Sequence, residues 1–266
     1  MATATTATAA ETVERLKEPV QLYSRGWMLA DSTDAYGKGL GFATGAQFWV
    51  VGRAGVLGSC PAEVAAAAIA FEPLEEVRKA WDRVPAGLTH YEVALHYRDV
   101  ITAWGERVLA AVDPGTLRTV DGLGRRIAGA APDALGALFT GWRRLPAPDG
   151  LPGRAALTLH VLRELRGAAH IAAILACRLT PLDAILAATH APPRTGPGYA
   201  ERMGHRGPFR DPEEVREQRV EAEELTSAIT VPFFSRLTPA ELALFGDAVE
   251  RVCATARDRA AGGAAP

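Results

Sequence analysis

The stretch GRAALTLHVLRELRGAAHIAAILACR, residues 153–178, predicts one long helix that organises the rest of the chain. Apolar residues recur along it at helical spacing, and glycine and proline interrupt the sequence that precedes it. His160, Arg163, Gly167 and His170 stand at i, i+3, i+7 and i+10. At helical geometry these four fall within an arc of roughly 80°, apart from the apolar face. The segment therefore predicts separate polar and apolar stripes.

The polar stripe is the best candidate for a ligand site. Arginine suits carboxylates and phosphates, and histidine transfers protons near neutral pH. We predict catalytic roles for His160 and His170, and ligand binding by Arg163, Arg166 and Gly167. Glycine inside a helix costs about 1 kcal/mol relative to alanine, which indicates close approach by a backbone or a ligand. The alternative is a solvated face whose histidines meet neighbouring carbonyls.

The remainder of the chain also predicts helices. No segment alternates strictly with β-branched residues, whereas helical periodicity recurs throughout, so we expect an all-α protein of about ten helices. Capping residues mark expected helix starts, and all but the first of them precede proline: Thr89, Asp113, Thr180, Asp211 and Thr238.

The two halves of the sequence resemble each other. An offset of 120 aligns PAEVAAAAIAFEP, residues 61–73, with PLDAILAATHAPP, residues 181–193. An offset of 125 aligns DPGTLRTVDGLGRRI, residues 113–127, with TPAELALFGDAVERV, residues 238–252. Two blocks in one order at nearly one offset predict a tandem duplication, with halves about a pseudo-twofold axis and a ligand groove between them. The alternative is chance similarity among alanine-rich capped helices.

The expected domain organisation follows from this pattern. We predict a disordered tail over residues 1–10, a first helical half over 11–145, and a linker over 146–153, PAPDGLPG. A second helical half then covers residues 154–258, and a second disordered tail covers 259–266.

The helix of the first half that corresponds to the stripe carries Phe48, Trp49 and Arg53 instead of histidines. We predict that Trp49 and Arg53 bind the ligand from the side opposite the stripe. The polar segment HYEVALHYR, residues 90–98, is expected to have a structural role where the halves meet. His190 and His205 are expected to be loop residues, because each lies beside a proline or glycine break.

Composition excludes several classes of protein. The formal net charge of −2 gives no global basic field for holding nucleic acid. The sequence lacks zincin, paired C-x-x-C, nucleophile-elbow and Walker A motifs.

The cysteines indicate the cellular location. Cys60, Cys177 and Cys253 are odd in number and far apart, which fits a reducing cytoplasm. No signal peptide or membrane span is expected, so we predict a cytoplasmic protein.

The cofactor is undetermined at this stage. A haem ligand among His160, His170 or His96 is left open, although no haem-attachment motif supports one.

Two long blocks resemble the signature blocks of an actinobacterial family known as a helix-turn-helix family. They are GLGFATGAQFWVVGRAGVLGSCPAEVAAAAIAFEP, residues 39–73, and LHVLRELRGAAHIAAILACRLTPLDAIL, residues 159–186. The first contains the family's Gly-Arg-Ala-x-x-Leu-Gly at residues 52–58, and the second its Arg-Gly-x-x-His at residues 166–170. The resemblance covers most of the chain and implies a winged-helix-like, mostly helical fold for each half. The family name alone does not establish DNA binding.

The chain departs from this family pattern after the second block. Residues 192–225 replace the usual two-helix-and-wing segment, and no credible wing is present. The helix-turn-helix candidate is helix 170–177, a turn at 178–180, and PLDAILAATH at 181–190 as the recognition helix. That helix offers only Asp183, Thr189 and His190 to base edges, so we expect it to pack rather than to read DNA.

These observations favour a small-molecule-binding helical protein, most directly a metabolic or biosynthetic enzyme with a His/Arg site for an anionic or polar ligand. The alternative is a helix-turn-helix transcriptional regulator, which the family name and the abundant arginines support. A homodimer is left open, and neither the reaction nor the ligand follows from these residues.

Overall fold

The computed structural model describes residues 7–188 and 194–262, and these residues form helices and connecting turns without a β-strand. The all-α prediction is confirmed. Thirteen α-helices occur in this part of the chain: α1 (Ala9–Met28), α2 (Asp31–Gly39), α3 (Gly45–Ala54), α4 (Ala62–Ile69), α5 (Leu74–Trp81), α6 (His90–Val108), α7 (Pro114–Ala130), α8 (Ala137–Arg143), α9 (Leu151–Ala176), α10 (Pro181–Leu186), α11 (Pro197–Arg202), α12 (Arg216–Phe234) and α13 (Pro239–Gly262).

Four of the five predicted capping residues start α-helices. The side chains of Thr89, Asp113, Thr180 and Thr238 each accept a hydrogen bond from a backbone N–H in the first turn of α6, α7, α10 and α13. Asp211 differs, because it caps a short 3-10 turn and α12 begins only at Arg216.

Helix α9 is the centre of the fold, and it packs against α1, α6, α7, α8 and α12. It begins at Leu151, two residues earlier than predicted, because Pro152 in the first turn needs no hydrogen-bond donor. The last three residues of the predicted linker 146–153 therefore belong to α9. One hydrophobic core contains buried residues from before and after this linker, including Trp27, Trp142 and Phe245.

Both predicted tails are partly helical. The Thr8 side chain and Glu11 form a capping box that starts α1 at Ala9, and α1 packs against α13. At the other end α13 continues to Gly262, so residues 259–262 are helical as well. The tail predictions are wrong for these residues because packing between α1 and α13 stabilises helices that the local sequence leaves marginal.

The two repeated blocks fall on corresponding helices. The block at 61–73 contains α4 and the block at 181–193 contains α10, while the second pair lies on α7 and α13. The duplication stays a prediction. The described residues contain no strand, so a wing in the form of a β-hairpin does not occur in them.

The helix-turn-helix candidate lies at the end of α9. Arg178 has a positive φ of 61°, and the Leu179 N–H donates to the Ile174 carbonyl at 2.8 Å, which closes α9 with a Schellman turn. Helix α10 then runs for only six residues, and its Ile185 and Leu186 side chains are buried. The predicted recognition helix thus ends earlier than expected, and Thr189 and His190 lie outside the described residues.

None of the helices in the described part of the chain combines the length and the apolar character that crossing a membrane requires.

Candidate functional site

The polar stripe of α9 divides into two clusters, each built around one glutamate. The inner cluster comprises Arg53, His160, Arg163 and Glu164, and the outer cluster comprises Arg166, His170, Arg219 and Glu223. The structure therefore does not join the four predicted stripe residues into one site.

Glu164 accepts hydrogen bonds from both arginines of the inner cluster. The Arg53 Nε and Nη2 atoms donate to its two carboxylate oxygens at 2.9 and 3.0 Å, and Arg163 Nη1 donates to Oε1 at 2.6 Å. Glu164 is 2% exposed and Arg53 is 7% exposed. Burial by itself would raise the pKa of Glu164, but the nearby Arg53 and Arg163 guanidinium groups outweigh it and lower that pKa to about 2. The inner cluster is thus a permanently charged group inside the core.

His160 lies beside Glu164 but is enclosed by two indole rings. Its ring packs edge-on against Trp27 and Trp142, with centroids 5.4 and 4.3 Å away, and it is fully buried. Burial lowers the pKa of His160 to about 3, so the ring is neutral at physiological pH. The prediction of separate stripes is wrong here, because α9 is buried on its polar side as well. This setting does not favour the catalytic role predicted for His160.

Of the two residues predicted to face the stripe from the first half, Arg53 contacts α9, and Trp49 contacts Arg53. Arg53 reaches Glu164 from α3, and its guanidinium carbon lies 5.5 Å from the centre of the Trp49 ring. The Trp142 Nε1 atom donates to the Arg53 carbonyl at 2.9 Å, which ties α8 to α3 at this point. Arg53 thus contacts both Trp49 and Glu164, while ligand binding by Trp49, Arg53 and Arg163 stays a prediction.

The outer cluster lies between α9 and α12. Arg166 Nη2 and Arg219 Nη1 lie 2.6 and 2.7 Å from the Glu223 carboxylate, and His170 Nδ1 lies 4.0 Å from it. Burial favours the neutral form of Glu223, but Arg166 and His170 outweigh it, so its pKa falls to about 2. His170 also hydrogen-bonds Thr226 and stacks on a neighbouring aromatic ring. Arg166 and His170 are thus held by α12.

Gly167 borders a groove between α4, α8 and α9 with a volume of about 310 Å³. A Cβ atom built on Gly167 would meet nothing within 4 Å beyond its own helix backbone. Close approach by another backbone, one of the two reasons predicted for this glycine, therefore does not apply. Arg53 and Glu164 line one part of the groove, and the rest is mostly apolar: Ala67, Ala68, Phe139, Ala168, Ile171 and Leu175.

Two further arginines, Arg25 and Arg194, extend the inner cluster. Burial lowers the pKa of Arg163, and Arg53 and Arg25 lower it further. Burial also lowers the pKa of Arg25, and the positive charge of Arg194 adds to this effect, while Tyr199 opposes it. Positive charge therefore exceeds negative charge on this side of α9. No sequence signal marks Arg25 and Arg194 as site residues, because neither stands at helical spacing from the stripe.

Glu72, in the turn between α4 and α5, is the titratable group of this region. Burial raises the pKa of Glu72 to about 7, although the positive charge of Arg53 opposes the shift. A carboxyl group that titrates near neutral pH beside an arginine is typical of acid–base sites. Only its burial in the folded chain distinguishes Glu72 from the other glutamates, so no sequence signal could have found it.

Several buried donors near the inner cluster have no hydrogen-bond partner among the described residues. They are Tyr97 Oη, Trp27 Nε1, Arg163 Nε, Arg194 Nη1 and one ring nitrogen of His160, and the outer cluster has such a donor in Arg166 Nε. Most buried polar groups in folded proteins are paired, so a group of unpaired donors beside unbalanced positive charge points to an anionic partner.

The other sequence candidates have structural contacts. The His90 and Trp81 rings pack against each other with their centroids 4.0 Å apart, and His96 Nδ1 lies 3.0 Å from the Tyr36 hydroxyl. His205 is a loop residue whose Nε2 lies 2.9 Å from the Phe71 carbonyl oxygen. Within residues 7–188 and 194–262, no group of three or more His, Cys, Asp or Glu side chains has a metal-binding arrangement.

Comparison with known proteins identifies the family. The family model described as "Helix-turn-helix family" matches residues 10–265. No curated protein and no solved structure matches the chain. Since the match covers almost the whole chain, this protein belongs to the helix-turn-helix family.

Proposed function

We propose that this protein binds a small organic anion beside the inner cluster and performs acid–base chemistry on it. The observation that carries the proposal is the excess of arginine over carboxylate at Arg25, Arg53, Arg163 and Arg194. Glu164 is already shared between two of these arginines. An anion that enters the remaining positive field gains charge-assisted hydrogen bonds in a setting of low dielectric constant.

Glu72 is the residue we assign to proton transfer. Its carboxyl group lies near enough to Arg53 for the two charges to interact, and its pKa of about 7 lets both protonation states occur at physiological pH. This assignment replaces the histidines: His160 is held neutral between two indoles, and His170 faces α12.

The outer cluster supports the choice of the inner one. Arg166 and Arg219 share Glu223, and Arg166 also acts on Glu14, so carboxylates there match the arginines. An anion gains less from a cluster whose charges are already balanced.

The alternative of a DNA-binding regulator rests on the family name. Helix α10 would have to enter a groove of the duplex, yet it is six residues long and its Asp183, Ile185 and Leu186 side chains are buried. These features favour the small-molecule proposal over base reading by α10.

The test uses sulfate, which does not titrate near neutral pH, and isothermal titration calorimetry. We expect sulfate to bind, and Arg25→Gln to weaken binding about tenfold because one charged contact is lost. Arg25 is only partly buried, so the variant should fold. Arg107→Gln, an exposed arginine on α6, is the matched control and should bind like the wild type.

The pH dependence of the same titration tests Glu72. Above a pH of about 7 the ionised Glu72 carboxylate adds negative charge beside Arg53, so sulfate affinity should fall as the pH rises through 7. Glu72→Gln should remove this dependence. Absence of sulfate binding in the wild type would contradict the proposed function, and an unchanged pH dependence in Glu72→Gln would contradict the role of Glu72.

A further inference from the structure

The groove over Gly167 is joined to the inner cluster by two shared residues. Arg53 and Glu164 line the groove and also belong to the inner cluster. Arg163, the other arginine of the inner cluster, does not line the groove and donates to Oε1 of the same Glu164 carboxylate. The charged site and the groove are therefore adjoining parts of one surface.

Arg53 retains hydrogen-bonding capacity at this junction. Its Nε and Nη2 atoms are used by Glu164, while Nη1 donates no hydrogen bond to any residue of the described ranges. The side chain is more than nine-tenths buried, and the residue lines the groove. An arginine donor that has no protein partner and lies at one end of a groove is suited to a carboxylate.

The remainder of the groove suits an apolar group. Its walls are alanines from α4 and α9 together with Ile171, Leu175 and Phe139, and its volume of about 310 Å³ accommodates a short alkyl chain. Gly167 stands in this wall with open space above it, although alanine there would favour the helix by about 1.0 kcal/mol or a little less. A chain lying over α9 at this point gives a reason for the missing side chain.

From this arrangement we infer that the ligand is an amphiphilic carboxylate whose head binds Arg53 and whose alkyl chain lies in the groove over Gly167. The inference rests on the proposed function, because it assigns the ligand class of that same site. It adds a second recognition element that sulfate binding does not report.

The experiment compares butanoate, hexanoate and octanoate by isothermal titration calorimetry. We expect affinity to rise about fourfold for each added methylene, because each one leaves water for an apolar wall. Gly167→Leu fills the groove from α9, so it should bind octanoate no more tightly than butanoate. Leucine is a good helix former and its Cβ atom meets open space here, so the variant should fold.

Gly122→Leu is the matched control, because Gly122 is also a helical glycine with open space around its Cβ position, on α7. It should keep the dependence on chain length. Sulfate binding with equal affinity for all three carboxylates would overturn the inference and leave the proposed function standing. Equal chain-length dependence in Gly167→Leu would also overturn it. Failure of the wild type to bind sulfate and every carboxylate would overturn both proposals.

Discussion

The inner and outer clusters contain the same residue types in different surroundings. Each has one glutamate that pairs with two arginines, and a histidine nitrogen lies 3.9 Å from Glu164 and 4.0 Å from Glu223. The Glu164 side chain is 1% exposed, whereas that of Glu223 is 27% exposed. Helices α3, α6 and α8 cover the inner cluster, while the outer one lies at the contact of α9 with α12. Residue type and spacing therefore do not determine the role of a charged cluster.

The largest difference should appear when each glutamate is neutralised. Glu164→Gln leaves Arg53 and Arg163 charged in the core without a carboxylate, so it should lower the free energy of unfolding by about 3–5 kcal/mol. Glu223→Gln should lower it by only about 1–2 kcal/mol, because water reaches that cluster. Urea denaturation monitored by circular dichroism measures both values. Equal losses would show that burial does not separate the two clusters.

The second difference concerns acid sensitivity. Unfolded histidine binds a proton below a pH of about 6.5. Folded His160 stays neutral down to a pH of about 3. The unfolded state thus binds more protons in this window, and stability falls as the pH drops, by at most about 1.4 kcal/mol per pH unit.

His160→Phe removes this proton-binding group, and the His160 nitrogens donate to no described residue, so no hydrogen bond is lost. The stability of the variant relative to the wild type should therefore rise steadily from pH 7 to pH 5. Glu72 contributes equally to both proteins, so the difference isolates His160. Urea midpoints at several pH values measure it, and a constant difference across that range would contradict the assignment.

The smallest effect concerns Gly167, which separates the clusters along α9. Gly167→Ala should raise the free energy of unfolding by up to about 1 kcal/mol, because alanine favours the helix and meets no neighbour. Gly122→Ala on α7 should give a similar gain, since its surroundings are equally open. Thermal denaturation of both variants without ligand measures the change in stability. A loss of stability in Gly167→Ala alone would mean that the glycine serves packing within α9.

The features that the sequence predicts correctly are those that short-range rules decide. The starts of α6, α7, α10 and α13 follow from capping side chains and proline positions, and α9 was placed within two residues of its ends. The predicted position of Arg53 opposite the stripe agrees with its contact with Glu164, and Trp49 contacts Arg53. These predictions needed only local geometry or a comparison of the chain with itself.

The surroundings of His160 and His170 were predicted wrongly, because neighbours from distant parts of the chain decide them. Helical spacing put His160 and His170 on one polar face, but Trp27 and Trp142 bury the first and Glu223 on α12 draws the second to another cluster. A helical wheel treats one side of α9 as solvent, and periodicity contains no information about which helix covers it.

The amino-acid sequence by itself determined the all-α class, the long central helix, the starts of α6, α7, α10 and α13, and the family of this protein, because each of these depends on local patterns that survive without tertiary contacts. Tertiary structure alone decided which charges are buried. It gathered Arg25, Arg53, Arg163 and Arg194 from separate segments and raised the pKa of Glu72 to about 7. The physical reason is that charge balance and desolvation depend on distances in space, which residue spacing along the chain does not specify.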